Sequence, residues 1–306
     1  MRKFSQGGVL AVLVWVLAII PGGAIRADST LASSVSANPH PTASPREHRI
    51  PTNPKRERTG EAPSPSGAAP TTPLISIIVD DLGHLRVAGL QAIDLPGNLS
   101  FSFIPNAPYA RALADVARAR GKEILLHIPM ESRDGRDLGP GGLTKEMTRA
   151  ELTESVCASI RAIPYARGLS NHMGSLLTRR KEPMRWLMAA MLECGPGNNS
   201  QENGQENGKG LYFVDSLTTG GTVAAATART YHIPTLERDV FLDHDPDPEA
   251  ILAGLRQLVR KAKEQGTALG IAHPYPETLA VLGRVLPQLE GWGVVLVPVS
   301  VLLANR

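Results

Sequence analysis

Short apolar runs that each end in an aspartate or a histidine constrain the fold more than any other feature of this sequence. The first run, residues 74–79, leads directly into Asp80 and Asp81. A continuous apolar run indicates a strand buried on both faces, where a terminal carboxylate is costly unless it binds a cation or transfers protons. Later runs end at His127, His172, Asp215 and His273. If the strands are parallel, these side chains share one rim, where α/β enzymes hold their active sites.

Helical patterns separate the apolar runs. Thr148 and Glu151 have the spacing of a capping box, Asn106 is expected to cap another helix, and Pro248 and Pro276 each open one. Strands are expected at residues 74–80, 99–104, 123–128, 168–172, 211–215, 234–242, 268–272 and 293–298. This alternation predicts an α/β fold, a distorted or incomplete (β/α) barrel of seven to eight parallel strands.

The chain divides into three predicted parts. Residues 1–27 have the layout of a signal peptide, with basic residues before a short apolar stretch and small residues after it. An uncleaved N-terminal anchor is the alternative, and it would be the only contact with a membrane. Residues 28–72 are rich in Pro and Ser and predict a disordered linker. Residues 73–306 form the barrel domain, with a flexible insertion at 195–210, and the protein is expected to be exported, either periplasmic or secreted.

Composition excludes several classes of function. The net charge is only +3 and aromatic residues make up 4% of the chain, so nucleic-acid binding is not expected. The sequence contains neither a phosphate-binding glycine motif nor the elbow motif of a serine nucleophile. Cys157 and Cys194 are too few for a zinc-thiolate cluster. Both fall in predicted helices, where we expect packed or free thiols in preference to a disulfide.

Asp81, His127 and His172 form a candidate metal site. Zinc accepts imidazole and carboxylate ligands, and three protein ligands leave one position open, as in catalytic sites. Side chains alternate along a strand, so Asp80 and Asp81 point the same way only if the strand ends between them. We therefore expect one to bind the ion and the other to act on bound water or orient a ligand.

Further candidates follow other strands. His273 lies in a proline-stiffened turn, which suits a general acid. Asp215 and the pair Arg238 and Asp239 are weaker candidates for substrate contact. Ser175, three residues after His172, is a candidate ligand or substrate contact.

Five segments resemble the divergent polysaccharide deacetylases, an exported bacterial family related to carbohydrate esterase family 4. They are residues 77–83, 126–131, 171–175, 213–216 and 271–274. The resemblance implies a distorted (β/α) barrel, a divalent metal, commonly zinc, and removal of acetyl groups from a polysaccharide or peptidoglycan-type glycan. It assigns Asp80 as the base, Asp81 and His127 as ligands and His273 as the acid.

The sequence also departs from the esterase pattern. Glu131 stands where the second motif usually offers another histidine or serine, and an arginine-proline motif is replaced by residues 171–175. The third ligand is therefore His172, Glu131 or neither, and Glu131 is otherwise a candidate substrate contact. The alternative function is a non-catalytic exported barrel that binds a glycan or an envelope partner. Metal-dependent phosphoester hydrolysis is less favoured, because no cluster of Lys or Arg accompanies the carboxylates.

Overall fold

The computed structural model of the protein describes residues 72–196 and 210–306. The predicted signal peptide and all of the predicted linker except Thr72 lie outside the described residues, as does most of the insertion predicted at 195–210. Those assignments stay predictions.

Every strand pair in the described residues is parallel. The strands are β1 (Leu74–Leu82), β2 (Ser100–Phe103), β3 (Glu123–Met130), β4 (Gly168–Met173), β5 (Tyr212–Asp215), β6 (Thr235–Glu237), β7 (Val240–Phe241), β8 (Thr267–Ala272) and β9 (Val295–Leu296). Their order in the sheet is β6-β5-β4-β3-β2-β1-β8-β7, with β9 paired to the first residues of β1. The predicted class, an incomplete parallel (β/α) barrel, is confirmed.

Helices follow most of the strands. They are α1 (Arg86–Ile93), α2 (Ala110–Ala119), α3 (Arg149–Ala162), α4 (Lys181–Cys194), α5 (Ala224–Thr230), α6 (Pro248–Gln265), α7 (Pro276–Val285) and α8 (Val299–Leu303). Within the described part of the chain, none of them combines the length and apolar character needed to cross a membrane.

Two apolar clusters hold the barrel together. The larger one lies between the strands and the helices, and the smaller one includes Ile78, Leu125 and Leu269 from different strands. Val299 and Leu302 of α8 belong to the smaller cluster. The strands are therefore buried on both faces, as their continuous apolar runs predict.

Two residues link the edges of the sheet at a seam, although the edge strands do not pair. The single strand predicted at 234–242 is wrong, because this segment forms β6 at one edge of the sheet and β7 at the other. The Arg238 amide donates to the Asp215 carbonyl of β5 at 3.1 Å, and the Asp239 amide donates to the Leu269 carbonyl of β8 at 2.8 Å. One chain segment thus joins both edges, while β6 and β7 do not pair with each other.

The helix starts follow the sequence signals with one exception. Thr148 and Glu151 form the predicted capping box at α3. The predicted cap at Asn106 is wrong, because α2 begins at Ala110 and the Asn106 amide donates instead to the Pro140 carbonyl at 3.0 Å. Asn106 therefore stabilises the loop between β3 and α3.

Cys157 and Cys194 form a disulfide, so the expectation of packed or free thiols is wrong. Cys157 lies in α3, and Cys194 is the last residue of α4. These helices flank neighbouring strands and pack against each other, which brings the two Cα atoms to 5.4 Å, within the usual range for a disulfide.

Candidate metal and catalytic site

The end of β1 presents both aspartates of the first motif. The pairing of β1 with β2 shifts register between Val79 and Leu82, and Asp81 adopts a left-handed backbone with φ of 60°. This irregularity breaks the alternation of side chains, so both carboxylates lie close to His127. The expectation that the strand must end between the two aspartates is wrong, because β1 continues to Leu82 and the irregular pairing brings both carboxylates to His127 instead.

Asp81, His127 and His172 meet at the carboxyl ends of β1, β3 and β4. The Asp81 Oδ1 atom lies 3.1 Å from His127 Nε2 and 2.7 Å from His172 Nδ1. The ligand atoms of all three residues lie within 4.8 Å of one another. Ligands bound at about 2.0–2.2 Å to one zinc ion lie roughly 3–4 Å apart, so the set matches this ion with small adjustments.

The hydrogen-bonding state of the two aspartates supports a cation site. Four buried side-chain polar atoms in the described residues lack a hydrogen-bond partner, and two of them are Asp80 Oδ1 and Asp81 Oδ1. Buried polar atoms are rarely left unpaired, so such atoms call for an ion, a water or a substrate. Asp81 Oδ1 lies close to two imidazole nitrogens without hydrogen-bond geometry, as expected of atoms that face a common ligand.

A pair of buried serines orients His127. The His127 Nδ1 atom is 2.7 Å from Ser170 Oγ, which is 2.9 Å from Ser102 Oγ. With its Nδ1 proton donated to Ser170, the ring carries a lone pair on Nε2 toward Asp81. Hydrogen bonds of this kind fix the tautomer and direction of a metal-binding histidine.

His273 faces the second oxygen of the Asp81 carboxylate and is held by Asp243. The Asp243 carboxylate accepts from the His273 amide at 2.6 Å and contacts His273 Nδ1 at 2.9 Å. It also accepts from Thr278 Oγ1 at 2.9 Å. This leaves His273 Nε2 facing the site, 3.8 Å from Asp81 Oδ2.

Burial and charge shift the titration of these groups. Burial raises the pKa of Asp80, against the opposing effect of His127 and His273. Burial alone would also raise the pKa of Asp81, but the imidazoles of His127 and His172 hold it well below its usual range. Burial would lower the pKa of His273, whereas Asp243 and Asp81 raise it to about 9.

A cavity of about 170 Å³ opens beside the cluster. Asp81 and His273 line one part of it, and the exposed side chains of Leu85 and Tyr275 line another. The Tyr275 ring also contacts the His273 ring, with centroids 5.6 Å apart. The site is therefore open to solvent, with apolar surface beside the ionisable groups.

Three predicted contact residues have structural partners. The Asp215 carboxylate accepts from Leu217 N, Thr222 Oγ1 and Ala225 N of the following loop and helix, and burial raises its pKa. Arg238 donates to the carbonyls of Ser216 and Leu217 at 2.8 and 3.0 Å. Asp239 accepts from Leu269 N at 2.8 Å and pairs with Arg306.

The three residues differ in their position relative to the candidate site. Asp239 lies beside the middle of β8 and is not brought to the site at the end of that strand. Asp215 organises the loop after β5. Arg238 stays near the site, because it lies over the Phe241 ring, which contacts His273.

Glu131 and Ser175 organise the loops after β3 and β4. Glu131 Oε2 accepts from the Lys145 amide at 2.6 Å, and Ser175 Oγ accepts from the Arg133 amide at 3.0 Å. Of the two named candidates for the third ligand, the structure brings His172 to Asp81, whereas Glu131 is bonded within its own loop.

Comparison with known proteins identifies the family. A sequence model described as divergent polysaccharide deacetylase matches residues 77–303. The chain belongs to this family. The match includes all the site residues described above and ends within α8.

Proteins similar to this chain occur in several bacteria. An uncharacterized protein of Haemophilus influenzae is 32% identical over 225 residues, which are 72% of this chain and 75% of that protein. The uncharacterized protein YibQ of Escherichia coli is 30% identical over 215 residues, 70% of this chain and 63% of that protein. The crystal structure of an uncharacterized protein from Agrobacterium tumefaciens C58 superposes with a TM-score of 0.68 at 26% identity, covering 78% of this chain and 91% of that chain.

Sequence reasoning missed two residues of this deacetylase-family site. Asp243 follows the apolar run Val240-Phe241-Leu242, the same pattern that marks the other strand-end residues. Ser170 occurs two residues before His172, where alternation along β4 places both side chains on the same face of the strand. That spacing is the signal that could have found it.

Proposed function

We propose that this protein is a metal-dependent hydrolase that removes acetyl groups from a cell-envelope carbohydrate, such as a peptidoglycan-type glycan. The observation that carries this proposal is the convergence of Asp81, His127 and His172, whose ligand atoms lie within 4.8 Å of one another. Membership of the divergent polysaccharide deacetylase family supports an acetylated sugar as the substrate.

Asp81, His127 and His172 would hold a divalent ion, for which we propose zinc. Two imidazoles and one carboxylate are a donor set that zinc accepts, and they leave a position open for water or substrate. Such an ion, when bound, polarises the acetyl carbonyl and lowers the pKa of water. Glu131 is not needed in the set, because its carboxylate accepts a hydrogen bond from Lys145 N.

Asp80 is the proposed proton acceptor. Its Oδ1 atom has no hydrogen-bond partner among the described residues and lies 3.6 Å from His127 Nδ1. A carboxylate in this position takes the proton of the attacking water as the water oxygen bonds to the carbonyl carbon. A positioned base of this kind contributes roughly 10²–10⁴-fold to a rate.

His273 is the proposed proton donor. Asp243 holds its Nδ1 side, so that Nε2 faces the site, 3.8 Å from Asp81 Oδ2. From Nε2 a proton passes to the sugar nitrogen or oxygen as its bond to the carbonyl carbon breaks. Acetate and the free amine or alcohol are the products.

The test measures metal content and acetate release together, on the full chain and its variants. We expect the protein to bind about one equivalent of zinc, with three protein ligands, and to release acetate from acetylated chito-oligosaccharides or peptidoglycan fragments. Asp81→Asn is expected to lose both metal and activity. Asp80→Asn is expected to keep the metal and lose turnover by at least about 10²-fold.

His232→Asn is the matched control, because His232 is an exposed histidine after α5 with a left-handed backbone that asparagine also adopts. It should change neither metal content nor turnover. Full activity in Asp80→Asn would reject the base assignment. Metal binding without acetate release from any of these substrates would favour the alternative, a barrel that binds a glycan or an envelope partner.

We also propose that the protein acts outside the cytoplasm. The signal-like pattern of residues 1–27 and the Cys157–Cys194 disulfide both support export, since structural disulfides persist in oxidising compartments. Fractionation of cells that produce the full chain tests this, and recovery of the protein in the cytoplasm with reduced thiols would contradict it.

A further inference from the structure

A second concave site lies on the outside of the barrel. A groove of about 470 Å³ is bounded by α6 and by the segment before β9, and its lining residues are Arg256, Val259, Arg260, Lys263, Gly291 and Trp292. Its volume is in the range of small-molecule and saccharide sites. None of these residues belongs to the candidate metal site.

The groove concentrates positive charge that the described residues do not neutralise. Arg256, Arg260 and Lys263 are exposed, and within residues 72–196 and 210–306 none of them forms an ion pair. No carboxylate lines the groove among those residues. Like charges four residues apart on a helix repel, so helix stability does not explain this arrangement.

The helix dipole explains only part of the cluster. Lys263 lies in the last turn of α6, where a cation is favourable. Arg256 lies in the middle of the helix, which ends at Gln265, and the dipole interaction does not extend that far. Arg256 and Arg260 are therefore free to pair with an external anion.

Trp292 adds an aromatic surface to the groove. The side chain is partly buried against the main core and also lines the cavity, so the indole is held in place while part of it faces the groove. An indole held in this way is a platform for the apolar face of a sugar ring, and its position beside three cations adds selectivity for a charged ligand.

The spacing of the cations indicates the form of the ligand. Arg256 and Lys263 are seven residues apart, which corresponds to about 10 Å along the helix axis. A chain with repeated anionic groups can pair with all three side chains without drawing the like charges together. An open groove with a fixed indole can hold a saccharide chain along its length.

We propose that this groove binds an acidic polysaccharide, a glycan whose sugar rings carry carboxylate or phosphate groups. Arg256, Arg260 and Lys263 pair with the anionic groups, and Trp292 packs against a sugar ring. The groove is a second glycan site, separate from the hydrolytic site, and its proposal does not depend on the deacetylase assignment.

The test measures binding of a galacturonate hexamer to the full chain by calorimetry. We expect binding that weakens with added salt, and no measurable binding of the neutral maltohexaose. R256A/R260A should weaken the affinity by about tenfold or more, because each charge-assisted contact contributes substantially. W292L, which keeps an apolar side chain against the core, should also weaken it.

R149A/R284A is the matched control, since it removes two exposed cations outside the groove. It should change the affinity by less than about twofold, as expected for screened surface charges. D81N should leave hexamer binding unchanged, which keeps this test separate from that of the deacetylase activity. Because Arg256 and Arg260 are both exposed, their removal should preserve the fold even if W292L does not.

Several outcomes would overturn the proposal. They are an absence of hexamer binding, unchanged affinity in R256A/R260A, and equal losses in R149A/R284A. Binding of phosphatidylglycerol vesicles or duplex DNA through Arg256 and Arg260, without binding of the hexamer, would also overturn it and assign the groove to that partner.

Discussion

At the scale of single residues, the candidate site depends on side chains behind the proposed ligands as much as on the ligands themselves. Ser170 holds His127 by its Nδ1 atom, and Asp243 holds His273 in the same way. Each contact leaves the Nε2 atom directed at Asp81. The hydrogen bonds from Ser170 and Asp243 thus fix the orientation of both imidazole rings.

Ser170→Ala tests this support. We expect zinc affinity to fall by about 10–100-fold. Without this hydrogen bond, neither the orientation nor the tautomer of the His127 imidazole ring is fixed. Competition with a chelator measures the affinity, and thermal unfolding checks the fold. Ser159→Ala removes another buried serine hydroxyl, which bonds within α3, and should leave zinc affinity unchanged. Equal affinity in the two variants would contradict the orienting role.

The sequence predicted the convergence of Asp81, His127 and His172, because parallel strands place their carboxyl ends on one rim. It could not assign partners to Asp239 or Glu131. Asp239 bonds to Leu269 and Arg306, and Glu131 bonds to Lys145, and these contacts depend on loop paths and chain crossings that residue spacing does not encode.

At the scale of elements, the turn after β1 decides where the carboxylates point. Asp81 has φ of 60° and Gly83 has φ of 125°, so the chain leaves the strand through two residues with positive φ. A Cβ atom on Gly83 would lie 2.8 Å from the Ala107 Cβ atom. Both the backbone and the space therefore require glycine at this position.

Gly83→Ala is expected to lower the free energy of unfolding by about 1–3 kcal/mol and to weaken zinc binding, because the strain is relieved by moving the turn that carries Asp81. Denaturant unfolding and metal titration measure the two effects. Gly220→Ala is the control, since it has open space around its Cβ position and no positive φ, and it should change neither quantity. A neutral Gly83→Ala variant would show that the turn tolerates a side chain.

The disulfide between α3 and α4 gives the second prediction at this scale. C157S/C194S should lower the free energy of unfolding by roughly 3–4 kcal/mol, from the entropy of the loop that the bond closes in the unfolded chain. Denaturant unfolding with and without a reductant measures the loss. The reductant should destabilise the native protein and leave the double variant unchanged. A reductant effect of equal size in both would contradict this account.

At the scale of the whole molecule, the barrel is continuous except at the seam between β6 and β7. These strands span three and two residues, and neither is paired with the other. Strands β1 and β8 pair along six successive residues. Local opening should therefore begin where the short edge strands meet.

Native-state hydrogen exchange tests this order. We expect the amides of Arg238 and Asp239 to exchange through openings of lower free energy than those of β1 and β8. The amides of β1 and β8 serve as the reference for the seam amides, because all of them donate hydrogen bonds within one sheet. Protection at the seam equal to that of β1 would show that the barrel opens only as a unit.

The sequence predicted most of the barrel, because buried parallel strands have long apolar runs and their helices have clear start signals. The prediction of one strand at 234–242 is wrong, because this segment has no glycine or proline after Pro234 to indicate a break between β6 and β7. The break arises from closure of the barrel, where one segment must change partners from β5 to β8.

The left-handed backbone at Asp81 also limits how the chemistry of this centre can be redesigned. Aspartate, asparagine and histidine tolerate that conformation better than other residues with ligand atoms. Asparagine or histidine could therefore replace Asp81 without a change in chain path, although asparagine removes the charge on which we expect metal binding to depend. Glutamate, with a longer side chain and a poorer fit to this conformation, could not keep the charge in the same place. An engineer who wishes to recruit a different ion while keeping a carboxylate at this position would have to vary His127 or His172.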